Sequence, residues 1–251
     1  MSQASLVLHR GARPVSGEEL AEVKAPAPVG RWYPLSHQTV LRRVKDTLGE
    51  AGFVVKREQL ALAKDNHRFF GTLDLESQLV HGVALSVGVR NSTDKSFPIG
   101  FVAGSRVFVC DNLAFSAELL VRRKHTRFGE QRFAADIAAA MPKLGQFREL
   151  EAKRIEGMAR TEVTDTLAES IILRAFEKGV VPAPLLPAVI REWRAPKHDD
   201  FKPRTLWSLF NAFTSALTPK AKANPQSYSL TTMRLNALVA PALPEPLAIA
   251  A

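Results

Sequence analysis

The chain reads as an α+β protein: an N-terminal helix, an antiparallel four-stranded meander, and then a mostly helical C-terminal half. Three observations predict this. Between Phe53 and Cys110 the apolar residues form short runs, one of them cleanly alternating, bounded by polar turn residues, as in strands. On either side of that stretch they recur at helical spacing. Ser36 and Ser229 stand where helices need N-caps, and Gly49, Gly52 and Gly179 stand where helices need to stop.

In chain order, residues 1–35 carry Pro14, Pro26, Pro28 and Pro34 with Gly11, Gly17 and Gly30. These interrupt any helix beyond a short Gly17–Lys24 turn, so the segment is expected to be a flexible arm. Ser36 caps a helix to about Glu50 with Val40, Leu41, Val44 and Leu48 as its apolar stripe. Phe53–Ala63 and Arg68–Leu75 flank the turn Lys64-Asp-Asn-His67 and read as a hairpin. In its second strand Phe69, Gly71, Leu73 and Leu75 share one side, with Arg68, Phe70, Thr72 and Asp74 on the other. Strands at 82–90 and 98–110 complete the meander, with the first helix packed across its apolar face. After Asn112 every element is expected to be helical: Leu113–Val121, Glu130–Leu144, Phe147 to Arg160, Glu162–Lys178, Leu185–Arg194, Leu206–Leu217, and Ser229 to Val239. The organisation is thus an arm (1–35), an α+β core (36–145), a helical region (146–240) and a flexible tail (241–251).

Composition narrows the function classes. An apolar fraction of 46% is enough to build a core and excludes a disordered chain. No apolar run is long enough for a bilayer span and Met1–Val15 lacks a secretory pattern, so a cytoplasmic protein without a membrane partner is expected. The single Cys110 cannot form an internal disulfide. It is expected to be a small buried hydrophobe, since a nucleophile would need His81 or His125 as a base. A net charge of +9 directs attention to polyanionic partners.

That charge is concentrated. Residues 121–132 hold Arg122, Arg123, Lys124, Arg127 and Arg132 against Glu130 alone, with His125 and Phe128 among them. Such a run can hold phosphates by charge-assisted hydrogen bonds while Phe128 stacks on a base. It is equally compatible with a solvated loop. Lys56, Arg57, Lys64, His67 and Arg68 surround the first hairpin. They form a basic finger if it projects, and otherwise an ordinary charged turn over a packed Phe69–Phe70 pair. At the next strand end Arg90 could grip a phosphate with Asn91 and Ser92 donating to it, or Asn91, Ser92 and Asp94 could stabilise the turn. Asp111 and Asn112 carry the same alternatives, with helix capping as a third. His198-Asp199-Asp200 is a weak metal set because adjacent side chains diverge. The chain has no CxxC, HExxH, P-loop or GxSxG motif, so no cofactor is expected. Trp193, Trp207, Phe210 and Phe213 are expected to be helix-packing core.

Taken in order, Arg90-Asn91-Ser92, the following Gly-Phe strand, Val109-Cys110-Asp111-Asn112-Leu113 and Arg123-Lys124-His125 resemble one family. It is the phage- and plasmid-like family of unknown function numbered nine hundred and thirty-two, and the likeness spans about Phe53 to Ala140. The resemblance implies a setting in DNA metabolism and no specific activity. A helix, a meander and a long helix also resemble the element order of phage single-strand annealing proteins, which implies self-association on single-stranded DNA. The expectation is therefore a non-enzymatic, oligomeric protein that binds single-stranded DNA. One alternative is a metal-dependent nucleic-acid enzyme using Asp74, Glu76, Asp94 and Asp111. The other is an interaction factor whose basic surface meets an acidic protein.

Overall fold

A computed structural model of the protein describes residues 12–107, 113–223 and 225–243. The meander is present but has six strands rather than four: β1 (Arg13–Val15), β2 (Val55–Ala63), β3 (Arg68–Val80), β4 (Val83–Ser92), β5 (Ile99–Val107) and β6 (Leu113–Arg123). They lie in sequence order, each antiparallel to its neighbour.

The first added strand comes from the expected arm. β1 pairs with β2 in the register Val15↔Leu60. The chain then turns into α1 (Gly17–Glu22), opened by a reciprocal cap: Ser16 Oγ accepts from Glu19 N while the Glu19 carboxylate accepts from Ser16 N. Leu20 is fully buried, and α1 packs on α2 (His37–Glu50). The prolines and glycines that break long helices here punctuate short docked elements. At the other end, Ala240–Ala242 form a single 3₁₀ turn and Leu243 packs on the core, while residues 244–251 lie outside the described part.

The second added strand corrects the helix expected at Leu113–Val121. An apolar run of that length does not separate helix from strand by its period, and tertiary context decides. β5 carries fully buried Phe101 and Ala103, so an open edge there would leave backbone groups unpaired beside the core, whereas β6 closes that edge and is itself packed by α7 (Pro225–Val239). β6 supplies the partners, with Ile99↔Arg123, Phe101↔Val121 and Arg106↔Leu113. Cys110, Asp111 and Asn112 lie outside the described residues.

One sheet face, with Leu62, Phe69, Leu73, Val87, Ile99 and Phe101, packs against α2 and α3 (Gly129–Arg160) in a single core. The two helices expected at Glu130–Leu144 and Phe147–Arg160 are one, about 48 Å long at 1.5 Å per residue. Pro142 sits inside it and removes one backbone bond. The buried stripe Ile137, Met141, Leu144 and Phe147 runs through the proline without interruption, and that burial outweighs the penalty. The expected boundary at 145/146 thus falls within a helix.

The C-terminal half is helical, as expected: α4 (Asp165–Glu177), α5 (Leu186–Arg194), α6 (Leu206–Ala223) and α7. Trp193, Phe210 and Phe213 are buried, and Trp207 stacks on Phe210 at 5.9 Å. A buried ion pair ties α3 to this half. Arg154 donates to both oxygens of Glu151 at 2.6 and 2.7 Å and to Asn236 Oδ1 at 2.9 Å, and lies over the Phe210 ring. His198 packs edge-on against Phe201 and Asp199 pairs with Lys202, so this segment is tied up in local contacts.

Candidate nucleic-acid interface

A meander brings alternate loops to the same end of the sheet, which here places the β2–β3 turn, the β4–β5 loop and the end of β6 around the start of α2. Asn91 organises that end. Its Nδ2 donates to Leu35 O and to His37 Nδ1, both at 3.0 Å, while His37 Nε2 donates to Asn66 O at 2.8 Å. Lys64, Asp65 and Asn66 adopt consecutive left-handed conformations (φ 55°, 53° and 65°). The β2–β3 turn is therefore tied to the first turn of α2 and does not project as a finger. Burial holds His37 neutral, down to about 4.

Ser92 and Asp94 take the turn-forming roles open to them in the sequence. Ser92 Oγ donates to Phe97 O at 2.7 Å and accepts from Phe97 N at 3.1 Å, which pins the β4–β5 loop. Asp94 accepts from Ser96 N and from Arg68 Nε at 2.9 Å. Hydrogen bonds from Ser96 and Arg68 hold its carboxyl below the usual range despite the opposing effect of burial.

The basic run divides into cations with and without partners. Arg123 points to the helix-covered face and makes a two-pronged pair with Asp136 of α3, which holds the carboxyl low and the guanidinium charged. His125 is buried: its Nδ1 accepts from Leu35 N at 3.1 Å and burial lowers its pKa. A phosphate contact from His125 or Arg123 is thereby corrected to a structural role. Glu130, the run's one acid, is taken by Arg43 at 2.7 Å. Arg122, Lys124, Arg127 and Arg132 are exposed and pair with no carboxylate among the described residues. Phe128 is 55% exposed with the Arg127 guanidinium over its ring.

Arg90 is placed differently. Direct pairing across three strands, Arg90↔Gly100↔Arg122, puts both arginines on the face opposite α2 and α3. Arg90 lies along Gly100, where a Cβ would sit 2.8 Å from its Nε, and its guanidinium covers Phe97 at 5.3 Å. Burial, and then the charge of Arg122, push it down to about 10.

Other sequence candidates are not gathered here. Arg68 is neutralised by Asp94. Lys56 and Arg57 lie at the opposite end of β2, Arg57 pairing with Asp74 while Ala63 pairs with Arg68, a separation of about 20 Å along the strand. The carboxylates do not converge either. Asp74 accepts from Ser86 in mid-sheet, Asp94 sits at the strand end, and among the described residues no three His, Cys, Asp or Glu side chains are grouped to hold a metal ion. Gly100 and Phe97, which seat Arg90, and His37, which anchors the turn, gave no separate signal. Strand register reveals Gly100, and the Ser92 hydrogen bonds that pin the β4–β5 loop place Phe97.

The structure thus defines an α+β protein with a cationic end on an antiparallel sheet. The chain belongs to the family described as Domain of unknown function (DUF932), whose family model matches residues 28–239, from before α2 through the end of α7. Comparisons with curated proteins and with solved structures find no match. No helix of the described residues is long and apolar enough to cross a membrane.

Proposed function

We propose that this protein binds nucleic acid without catalysis. Single-stranded DNA is the favoured ligand and phage, plasmid or mobile-element DNA metabolism the setting. The observation that carries the reading is selective pairing. Around the β6–α3 junction Arg43 and Arg123 each have a carboxylate, whereas Arg122, Lys124, Arg127 and Arg132, within eleven residues, have none among the described residues. Cations left unpaired beside an exposed aromatic suit a strand that presents phosphates and bases together. A chain at +9 adds long-range attraction.

In this reading Arg122, Lys124, Arg127 and Arg132 hold phosphates and Phe128 stacks on a base, while the protein self-associates along the strand. Fluorescence anisotropy with labelled single strands and duplexes at two salt concentrations tests it. Affinity for single strands should fall with salt by about 0.7 log units per log unit for each phosphate held. Light scattering with and without DNA reads the self-association. Absence of binding at low salt, or affinity indifferent to salt, overturns the reading and favours an acidic protein as the ligand of the same surface.

A further inference from the structure

We propose that Arg90 and Arg122, with Gly100 between them, form a seat for one phosphate oxyanion on the sheet face opposite α2 and α3. Its occupant is a phosphodiester of the strand that follows the cations after β6. The occupant's identity rests on the nucleic-acid reading; the seat itself does not.

Three features of the structure assign it. The first is register: two guanidiniums stand on one rung of the sheet, separated by the single residue type that puts no side chain between them. The second is how Arg90 is held. Its stem lies where any Cβ at position 100 would collide, its head covers Phe97, and Phe97 is fixed by Ser92 through two hydrogen bonds. A side chain held on both sides loses little freedom when it binds. The third is what it lacks. Arg154, a buried arginine, has Glu151 and Asn236 as acceptors. Arg90, half-buried, has no acceptor or carboxylate among the described residues, and its charged neighbour is another cation. A half-buried guanidinium beside a like charge, with no acceptor of its own, gains charge-assisted hydrogen bonds when an anion arrives. Asp94, the nearest acid in sequence, is occupied by Arg68 and Ser96.

The seat is tested by following arginine Nε–Hε resonances in protein labelled with ¹⁵N-arginine. The Arg90 signal is identified by its loss in Arg90→Lys. Inorganic phosphate and a short oligothymidylate are titrated separately, with anisotropy run in parallel. The Arg90 signal should shift with each. Both affinities should weaken about tenfold or more in Arg122→Ala and in Gly100→Ala, which removes the bed of Arg90. Arg122 is exposed, so its variant guards against a folding failure of Gly100→Ala. A response to phosphate without one to DNA keeps the seat and refutes the nucleic-acid occupant. DNA binding with a silent Arg90 refutes the seat and leaves the nucleic-acid reading standing. Silence toward both ligands, with no DNA binding, refutes both.

Discussion

Lowering the pH should destabilise this fold through His37. The ring is fully buried and its hydrogen bonds specify one neutral tautomer: Nε2–H donates to Asn66 O, and Nδ1 accepts from Asn91 Nδ2. A second ring proton would face the Asn91 amide donor. Flipping that amide would set its oxygen against Leu35 O, which now receives its other hydrogen. Burial is the main reason the folded pKa lies at about 4, against an ordinary value near 6.5. Above pH 6.5 both folded and unfolded rings are neutral and contribute no pH dependence. As pH falls from 6.5 to 4 the unfolded ring takes up a proton that the folded ring refuses, so stability declines through this window. At about 1.4 kcal/mol per pH unit the loss is about 3 kcal/mol. His125, also lowered by burial, adds to it in the same direction. Urea unfolding at stepped pH, followed by tryptophan fluorescence, measures it against His37→Gln, which should be shallower by about one proton over the window. Parallel profiles for the two proteins would refute the assignment of His37 as a buried neutral group.

Three further outcomes follow from the packing. Arg154→Ala strands the buried Glu151 carboxylate and should cost about 3–5 kcal/mol in thermal or chemical unfolding, whereas the joint change Glu151→Gln with Arg154→Met should cost much less. Leu20→Ala should cost about 2–4 kcal/mol, because α1 is docked on α2; a neutral result would mean that the N-terminal segment does not belong to the folded unit. Pro142→Ala, at an exposed position inside the continuous α3, should raise the melting temperature, and no change would argue that the helix breaks there.

The elements that were legible in the sequence are those whose local signals and tertiary needs agree. Ser36 caps α2 as read, with Val40, Leu41, Val44 and Leu48 all buried, and the alternation in β3 matches the two faces of the sheet. β6 was not legible because Leu113–Arg123 satisfies either period and only an open edge on β5 selects the strand. β1 was hidden by its three-residue length and its proline, both acceptable at an edge. For the candidate site, the sequence gathers Arg122, Lys124, Arg127, Phe128 and Arg132 by simple adjacency. It has no means to see that Asp136 takes Arg123, that Leu35 takes His125, or that Gly100 brings Arg90 beside Arg122. Those relations depend on register and on helix placement.

The proposed interface is tested most directly by two charge-matched triple variants in one anisotropy experiment on single-stranded DNA. One removes Arg122, Lys124 and Arg127; the other removes Lys143, Arg174 and Lys178, which are exposed on α3 and at the end of α4. Both lower the net charge by the same amount, so the comparison separates a site from a general attraction. The first should lose binding, along with about two log units of salt slope if all three cations hold phosphates, while the second stays close to wild type. Equal losses in the two, or retention of binding in the first, would contradict a nucleic-acid interface at the end of β6.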